Sequence, residues 1–296
     1  MNALLKRLNK AVKTGDPEDG PLAQEKRLCL QHLRKLFLEY LHPREYISQE
    51  QQEKKLYQML PLFLKVFTTE ESSQMSERFS DVLQFAGHTS RLLVNEIQRR
   101  AANKTKPRSV VEILQFLIYK PNDKENHGWN LLSALNILSL GEIAITECMV
   151  AAALPSTLIK TLRLFFALKG RLFKEEVLSE LKSMMIPTLT KLCQHPITIK
   201  ELIRTDDLAT LFDALTCSCD PLHVIWRAGI SEILTAVTRH CLTREVIEYI
   251  EGNYLPKILQ DNVESYGRDK NGLKVGMLTE ISSVPVFEGV LLTLSV

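Results

Sequence analysis

Five cations lie close together between residues 99 and 108, and their side chains are suited to bind phosphate or carboxylate groups. They are Arg99, Arg100, Lys104, Lys106 and Arg108. Such a cluster attracts acidic lipid headgroups, RNA or an acidic protein surface, and each contact weakens as salt rises. In the alternative interpretation, the cations complement the dipole at a helix carboxyl end. No aromatic residue is interleaved with them, as in single-stranded nucleic-acid sites, so we expect no nucleic-acid partner.

A second basic segment lies at the amino terminus. Lys6, Arg7, Lys10 and Lys13 alternate with apolar residues at helical spacing, which predicts a short basic amphipathic helix. Such a helix can lie on an anionic membrane surface. Organelle presequences also lack acids, but they are rich in serine and arginine, whereas residues 1–13 contain one arginine and no serine. We therefore favour a frayed start of a cytosolic protein.

A group of cysteines and histidines has the side-chain types that bind zinc. Cys217 and Cys219 are followed by His223 and by the neighbours His240 and Cys241. The spacing departs from the usual zinc modules, in which about two to four residues separate paired cysteines. We therefore interpret these cysteines as small apolar side chains and expect no metal.

Motifs for catalysis and cofactor binding are missing from the sequence. It contains no zinc-protease motif, no nucleophile elbow and no dinucleotide fingerprint. Gly267 and Gly272 have the spacing of a phosphate-binding loop, but Leu273 follows where lysine is required. We expect a protein without catalytic activity and without a cofactor.

The composition is that of a globular protein with a polarised surface. Hydrophobic residues make up 45% of the 296 residues, charged residues make up 24%, and the net charge is +2. Residues 1–108 carry 19 Lys and Arg against 13 Asp and Glu, whereas the remainder carries 18 against 22. No secretory signal is present, and no uncharged stretch approaches the roughly 18–20 residues that span a bilayer. We therefore expect reduced cysteines and a cytoplasmic protein.

The elements that position these side chains are helices, and the first two give the clearest signal. Apolar residues recur at three- and four-residue steps through 22–67, with an interruption before Pro43. Proline ends the first helix, because it lacks an amide proton and disfavours helical geometry in the preceding residue. Ser48 and Gln51 have capping-box spacing and begin the second helix. Each helix must bury an apolar stripe, so we expect the two to pack as a hairpin.

The same periodicity predicts helices along most of the remaining chain. Pro187 is expected to kink or break the helix that contains it. Helical pairs of about 40–47 residues are typical of armadillo and HEAT arrays, so the predicted fold is all-α, an armadillo/HEAT-like α-solenoid of stacked helical hairpins. The predicted helices are 76–102, 109–119, 128–140, 142–153, 156–168, 173–195, 199–203, 206–216, 222–240, 243–251 and 255–263.

Three regions follow from this pattern. Residues 1–21 form a basic N-terminal segment and linker, 22–265 form an armadillo-like helical domain, and 266–296 form a divergent tail. Within that tail, 284–291 has the β-branched and apolar character of a strand.

Several helical segments of the chain carry a family resemblance. They are LQHLRKLF (30–37), EKKLYQMLP (53–61), FSDVLQF (79–85), NEIQRR (95–100), GW (128–129), LPSTL (154–158) and LFF (164–166). Together they resemble the N-terminal region of the very large BEACH, WD-repeat and FYVE-domain proteins. The resemblance is collinear over 22–263, and it implies an armadillo-like solenoid. It also implies an adaptor in selective autophagy that links aggregated cargo to autophagy factors and phosphoinositide-bearing membranes.

The family's lipid and cargo contacts are assigned mainly to C-terminal PH-BEACH, WD-repeat and FYVE domains. This sequence contains no FYVE-type cysteine cluster and no glycine–histidine or tryptophan–aspartate repeat. We therefore assign the family's lipid and cargo contacts to no residue of this chain. The pattern becomes unfamiliar after about Tyr266. Three alternatives would explain this change of pattern: the chain is a short splice form, a fragment or an incompletely assembled gene product.

The expected function is that of a non-catalytic protein-interaction scaffold, with autophagy factors or cargo adaptors as the partners that the resemblance implies. The cluster at 99–108 is the first expected contact surface, and the N-terminal helix is the second. The alternative is a peripheral membrane-surface module that uses both segments to bind anionic lipid weakly, on autophagic or endosomal membranes.

Overall fold

A computed structural model describes residues 21–42, 47–67, 82–102, 106–120, 126–166, 174–216, 222–241 and 243–253. Twelve helices and no β-strand lie within these ranges, so the prediction of an all-α protein is confirmed there. The helices are α1 (Pro21–Leu41), α2 (Gln49–Val66), α3 (Val82–Ala101), α4 (Lys106–Leu117), α5 (His127–Leu138), α6 (Ile143–Ala151), α7 (Leu154–Phe166), α8 (Glu175–Leu192), α9 (Pro196–Arg204), α10 (Asp207–Thr216), α11 (Leu222–His240) and α12 (Arg244–Asn253).

The junction between α1 and α2 follows the sequence prediction. α1 ends at Leu41, and α2 begins after Ser48. The Ser48 hydroxyl accepts a hydrogen bond of 3.3 Å from the Gln51 amide, and the Gln51 side chain accepts one of 3.1 Å from the Ser48 amide. The predicted capping box is therefore confirmed.

α8 continues through Pro187, so the helix does not break there, a break being one of the two outcomes expected for this proline. A proline inside a helix removes the hydrogen bond to the carbonyl four residues earlier, which belongs to Ser183. Ser183 is exposed, so water can satisfy that carbonyl. Solvent thus makes the proline tolerable in a helix that tertiary packing holds together.

One continuous apolar core extends from Cys29 on α1 to Val246 on α12. The stripes predicted on α1, α2 and α7 are largely buried, including Phe37, Phe63 and Phe165. Leu83 on α3 lies at the surface instead, since 42% of it is exposed.

Helices three places apart in the chain contact one another. α2 contacts α5, α5 contacts α8, and α8 contacts α11. In the same way α3 contacts α6, α6 contacts α9, α9 contacts α12, and α7 contacts α10. The starts of α5, α8 and α11 are 48 and 47 residues apart. These contacts recur at every third helix, and neighbouring helices also contact each other, including the predicted hairpin of α1 and α2.

No single helix in the described ranges is long and apolar enough to cross a membrane. Together α6 and α7 have the length and composition of a span, but they meet at an angle of 62°. Ala153, with a φ of 57°, lies at that bend. Residues Ile145, Met149, Leu158 and Leu162 of this pair are buried in the core.

Several predictions concern residues that the structure does not describe. These are the N-terminal basic helix with Lys6, Arg7, Lys10 and Lys13, the helix at 255–263, and the strand-like segment at 284–291. Residues 76–81 of the predicted third helix also lie outside the described ranges.

Candidate interaction surface

The structure places the described cations of the 99–108 cluster at the junction of α3 and α4. Arg99 and Arg100 lie in the last turn of α3, and Arg108 lies in the first turn of α4. The backbone of Lys106 begins α4, but its side chain lies outside the described parts of the structure, as does all of Lys104.

Glu96 binds both arginines of α3. Arg99 donates a hydrogen bond of 3.0 Å to its carboxylate, and Arg100 binds the same carboxylate and also the Glu96 carbonyl at 2.9 Å. Burial raises the pKa of Glu96, but the hydrogen bonds from the two arginines outweigh burial and hold that pKa below its ordinary value. The exposed fractions differ, at 67% for the Arg99 side chain and 19% for Arg100. Arg99 therefore faces solvent, while Arg100 is held within the protein.

Arg108 is the second exposed arginine of the cluster. It pairs with Glu112 at 2.9 Å, and its side chain is 77% exposed. An exposed ion pair of this spacing contributes little to stability, because solvent screens it and ordering two long side chains is unfavourable. An acidic partner can therefore replace Glu112 at little cost in free energy.

Aromatic rings from other helices surround Arg100. Its guanidinium lies 3.9 Å from the centre of the Phe116 ring of α4, in the geometry of a cation–π contact. Tyr57 of α2 stacks on His127 of α5, with ring centres 3.9 Å apart and planes 10° apart. Burial raises the pKa of Tyr57 to about 12, with Glu96 acting in the same direction. These residues, together with Arg99, form what we call the aromatic–arginine surface.

The sequence analysis identifies the cations of this surface but not its aromatic residues. Tyr57 and His127 are far apart in the chain, so no local pattern relates them to each other or to Arg100. The aromatic residues are absent from the 99–108 segment itself, and the fold supplies them from α2, α4 and α5.

Both tryptophans pack against other aromatic rings. Trp226 is buried and lies 5.7 Å from Phe165, as expected for a packing anchor. Trp129 is half-buried, and its ring centre lies 5.7 Å from that of the exposed Tyr119.

The cysteine and histidine group considered for zinc is only partly described. Cys217, Cys219 and the His223 side chain lie outside the described residues. Cys241 is buried and donates a hydrogen bond of 3.4 Å to the Cys193 carbonyl, while His240 is exposed. Among the described residues, no three side chains of the metal-binding types lie together.

A buried hydroxyl and a buried carboxylate lie between α7 and α10, next to the exposed side chain of Lys160. Lys160 is 2.9 Å from the Ser156 hydroxyl and 3.5 Å from the Asp207 carboxylate. These contacts join α7 to α10.

The described residues form an all-helical fold with a charged and aromatic patch where α2, α3, α4 and α5 meet. No protein-family model matches the chain, and no solved structure gives a significant match. WD repeat- and FYVE domain-containing protein 4 of Mus musculus is 28% identical over 223 residues, or 74% of this chain and 7% of that protein. The Homo sapiens protein of the same name is 24% identical over 234 residues, or 78% of this chain and 7% of that protein.

These comparisons relate the chain to that family at a distant level. The chain spans about 7% of the length of the two relatives. The similarity agrees with the resemblance read from the sequence, and it is compatible with a scaffold role.

Proposed function

We propose that this chain is a non-catalytic protein-interaction module built as an armadillo-like stack of three-helix units. The observation that carries the proposal is the contact between helices three places apart, in the series α2, α5, α8 and α11 and in the series α3, α6, α9 and α12. In such a stack each unit covers the apolar face of the next, and the repeated helices together form an extended surface for a partner.

The distant similarity supports a role within a large assembly. The two relatives carry WD repeat and FYVE domain in their names, and the matched region is a small part of each. A helical segment of such a protein serves as an adaptor surface in this proposal, with protein partners in the cytoplasm. The autophagy adaptor role that the family resemblance implies is the most specific form of it.

Arg99 and Arg108 are the residues that we assign to partner contact. Both are largely exposed, and each pairs with a glutamate on its own helix. Lys104 and Lys106 lie between them in the chain and add to the positive charge. Arg100 is instead a structural residue, since Glu96 and Phe116 hold it.

Affinity capture with charge-reversed variants tests this assignment. The variant Arg99→Glu/Arg108→Glu is compared with Arg204→Glu/Arg244→Glu. The control arginines also form exposed ion pairs, with Glu201 three residues away and Glu248 four residues away. We expect the first variant to lose proteins that the wild type and the control retain, as measured by quantitative mass spectrometry. Equal capture by both variants would contradict the assignment.

A liposome co-sedimentation experiment distinguishes protein binding from membrane binding. The purified chain is sedimented with neutral vesicles and with vesicles containing anionic phosphatidylserine. The proposal expects no dependence on anionic lipid. Co-sedimentation that requires phosphatidylserine, fades with salt and is lost in Arg99→Glu/Arg108→Glu would favour the membrane-surface function instead.

A further inference from the structure

A pocket of about 470 Å³ lies where the end of α1, the start of α2 and the middle of α3 meet. Its lining includes the apolar side chains of Leu56 and Leu92 and the amide side chains of Gln52 and Asn95. The pocket shares no residue with the aromatic–arginine surface. Its size suits a short stretch of peptide or a small molecule.

Arg91 gives this pocket a cation that pairs with no carboxylate of the described residues. No carboxylate among the described residues lies at ion-pair distance from Arg91, whereas Arg99 and Arg108 each pair with a glutamate on the same helix. The position four residues after Arg91 is Asn95, which carries no charge. The sequence thus leaves the Arg91 charge to be satisfied by solvent or by a ligand.

The guanidinium of Arg91 is also held in place. Its Nε donates a hydrogen bond of 3.1 Å to the Gly87 carbonyl, which fixes the side chain along α3. A Cβ atom at Gly87 would lie 3.2 Å from Arg91 Nη2, so the glycine gives the guanidinium room to lie there. Since Nε is occupied, the Nη groups remain as the donors for an incoming acceptor.

The remaining polar groups restrict which ligand fits. Tyr40 and His88 hold each other, with the hydroxyl 3.0 Å from Nδ1 of the imidazole. Glu53 also lines the pocket, and its carboxylate accepts a hydrogen bond of 3.1 Å from Gln49 rather than from Arg91. A second acid in the ligand would be repelled by Glu53, so one carboxylate beside uncharged polar groups is the best match.

We propose that this pocket binds one aspartate or glutamate side chain of an extended peptide segment in a protein partner. The carboxylate pairs with Arg91, the amides of Gln52 and Asn95 bind the peptide main chain, and Leu56 and Leu92 contact the aliphatic part. This inference rests on the proposed function, in that the ligand is a protein, and it adds a second contact site with a defined chemistry.

Direct titration with a defined peptide tests the pocket. Acetyl-Gly-Glu-Gly-amide is added to the purified chain, and the NMR signals of the His88 imidazole and the Asn95 side-chain amide are followed. We expect saturable shifts, with affinity about tenfold weaker for the peptide that carries glutamine instead, because a hydrogen bond to a charged group is lost. Arg91→Gln should weaken binding of the glutamate peptide by a similar factor. The control Arg204→Gln, at an exposed residue outside the pocket, should leave the affinity for this peptide unchanged. Arg91 is exposed, so its variant is expected to fold.

Three outcomes would overturn the inference: no shift with the glutamate peptide, equal affinity for the glutamine peptide, or equal affinity for sodium propionate. The last outcome would show a carboxylate site to which the peptide main chain adds nothing. Failure here is distinguishable from failure of the proposed function, because the capture experiment depends on Arg99 and Arg108 and not on this pocket.

Discussion

The hydroxyl of Ser156 on α7 donates a hydrogen bond of 2.5 Å to the carboxylate of Asp207 on α10, 51 residues later. Thr205 donates a second hydrogen bond, of 2.6 Å, to the same oxygen. Asp207 is 3% exposed, so this carboxylate is a buried link between two helices three places apart in the chain.

Removing this carboxylate is expected to destabilise the protein. Asp207→Ala leaves the buried Ser156 hydroxyl without its acceptor, which should lower the free energy of unfolding by about 2 kcal/mol. Chemical denaturation measures the change. Glu232→Ala on the exposed face of α11 is the control and should change stability by less than about 0.5 kcal/mol. Equal effects of the two substitutions would show that the Asp207 link contributes nothing.

Two buried helical glycines are expected to respond differently to alanine. A Cβ at Gly128 would collide with the backbone carbonyl of Phe116, whereas one at Gly87 would meet only the end of the flexible Arg91 side chain. Gly128→Ala should therefore lower stability by about 1–3 kcal/mol. Gly87→Ala should be neutral or stabilising, because alanine favours the helix. Thermal melting of both variants tests the close approach of α4 and α5, and the opposite order of stabilities would contradict it.

The described thiols should differ in reactivity. Burial raises the pKa of Cys193, and it raises that of Cys241 to about 11, so both remain protonated near neutral pH. A short pulse of iodoacetamide followed by peptide mass spectrometry should leave Cys29, Cys193 and Cys241 unlabelled in the native protein. Cys148 is partly exposed and should react first. Labelling of Cys193 as fast as Cys148 would contradict the described packing.

Mild acid is expected to destabilise the fold through two half-buried histidines. Burial lowers the pKa of His88 and of His195 below the ordinary 6.5, with Arg91 and His240 respectively adding to the effect. Below pH 6.5 the unfolded chain binds protons that the folded chain does not, so protonation favours unfolding until pH reaches the folded pKa values. The free energy of unfolding should therefore fall as the pH drops below about 6.5. His88→Gln/His195→Gln should flatten this dependence, and an unchanged slope would show that other groups cause it.

Sequence alone predicts the local structure better than the sites. The end of α1 and the capping box at Ser48 are predictable, because Pro43 and Gln51 act on the backbone next to them. The continuity of α8 is not predictable from the sequence, since solvent and packing outside the local sequence make Pro187 tolerable. The stack of Tyr57 on His127 depends on which helices meet, and so does the position of the Arg91 charge in its pocket. The spacing of residues along the chain does not indicate which helices meet.

The account rests on helices that stack at every third place, and α8 and α11 provide the most direct test. A Cβ at Gly229 of α11 would lie 2.6 Å from Ile186 Cγ1 of α8, so the two helices approach closely only because this position is glycine.

A double-mutant cycle measures that contact. Gly229→Ala should destabilise the protein by about 1–3 kcal/mol and Ile186→Ala by about 2–5 kcal/mol. In the double variant the smaller residue 186 makes room for the new methyl group, so the combined loss should be smaller than the sum by about 1 kcal/mol or more. Strict additivity of the two losses would mean that α8 and α11 do not touch there, and the stacked architecture would be wrong.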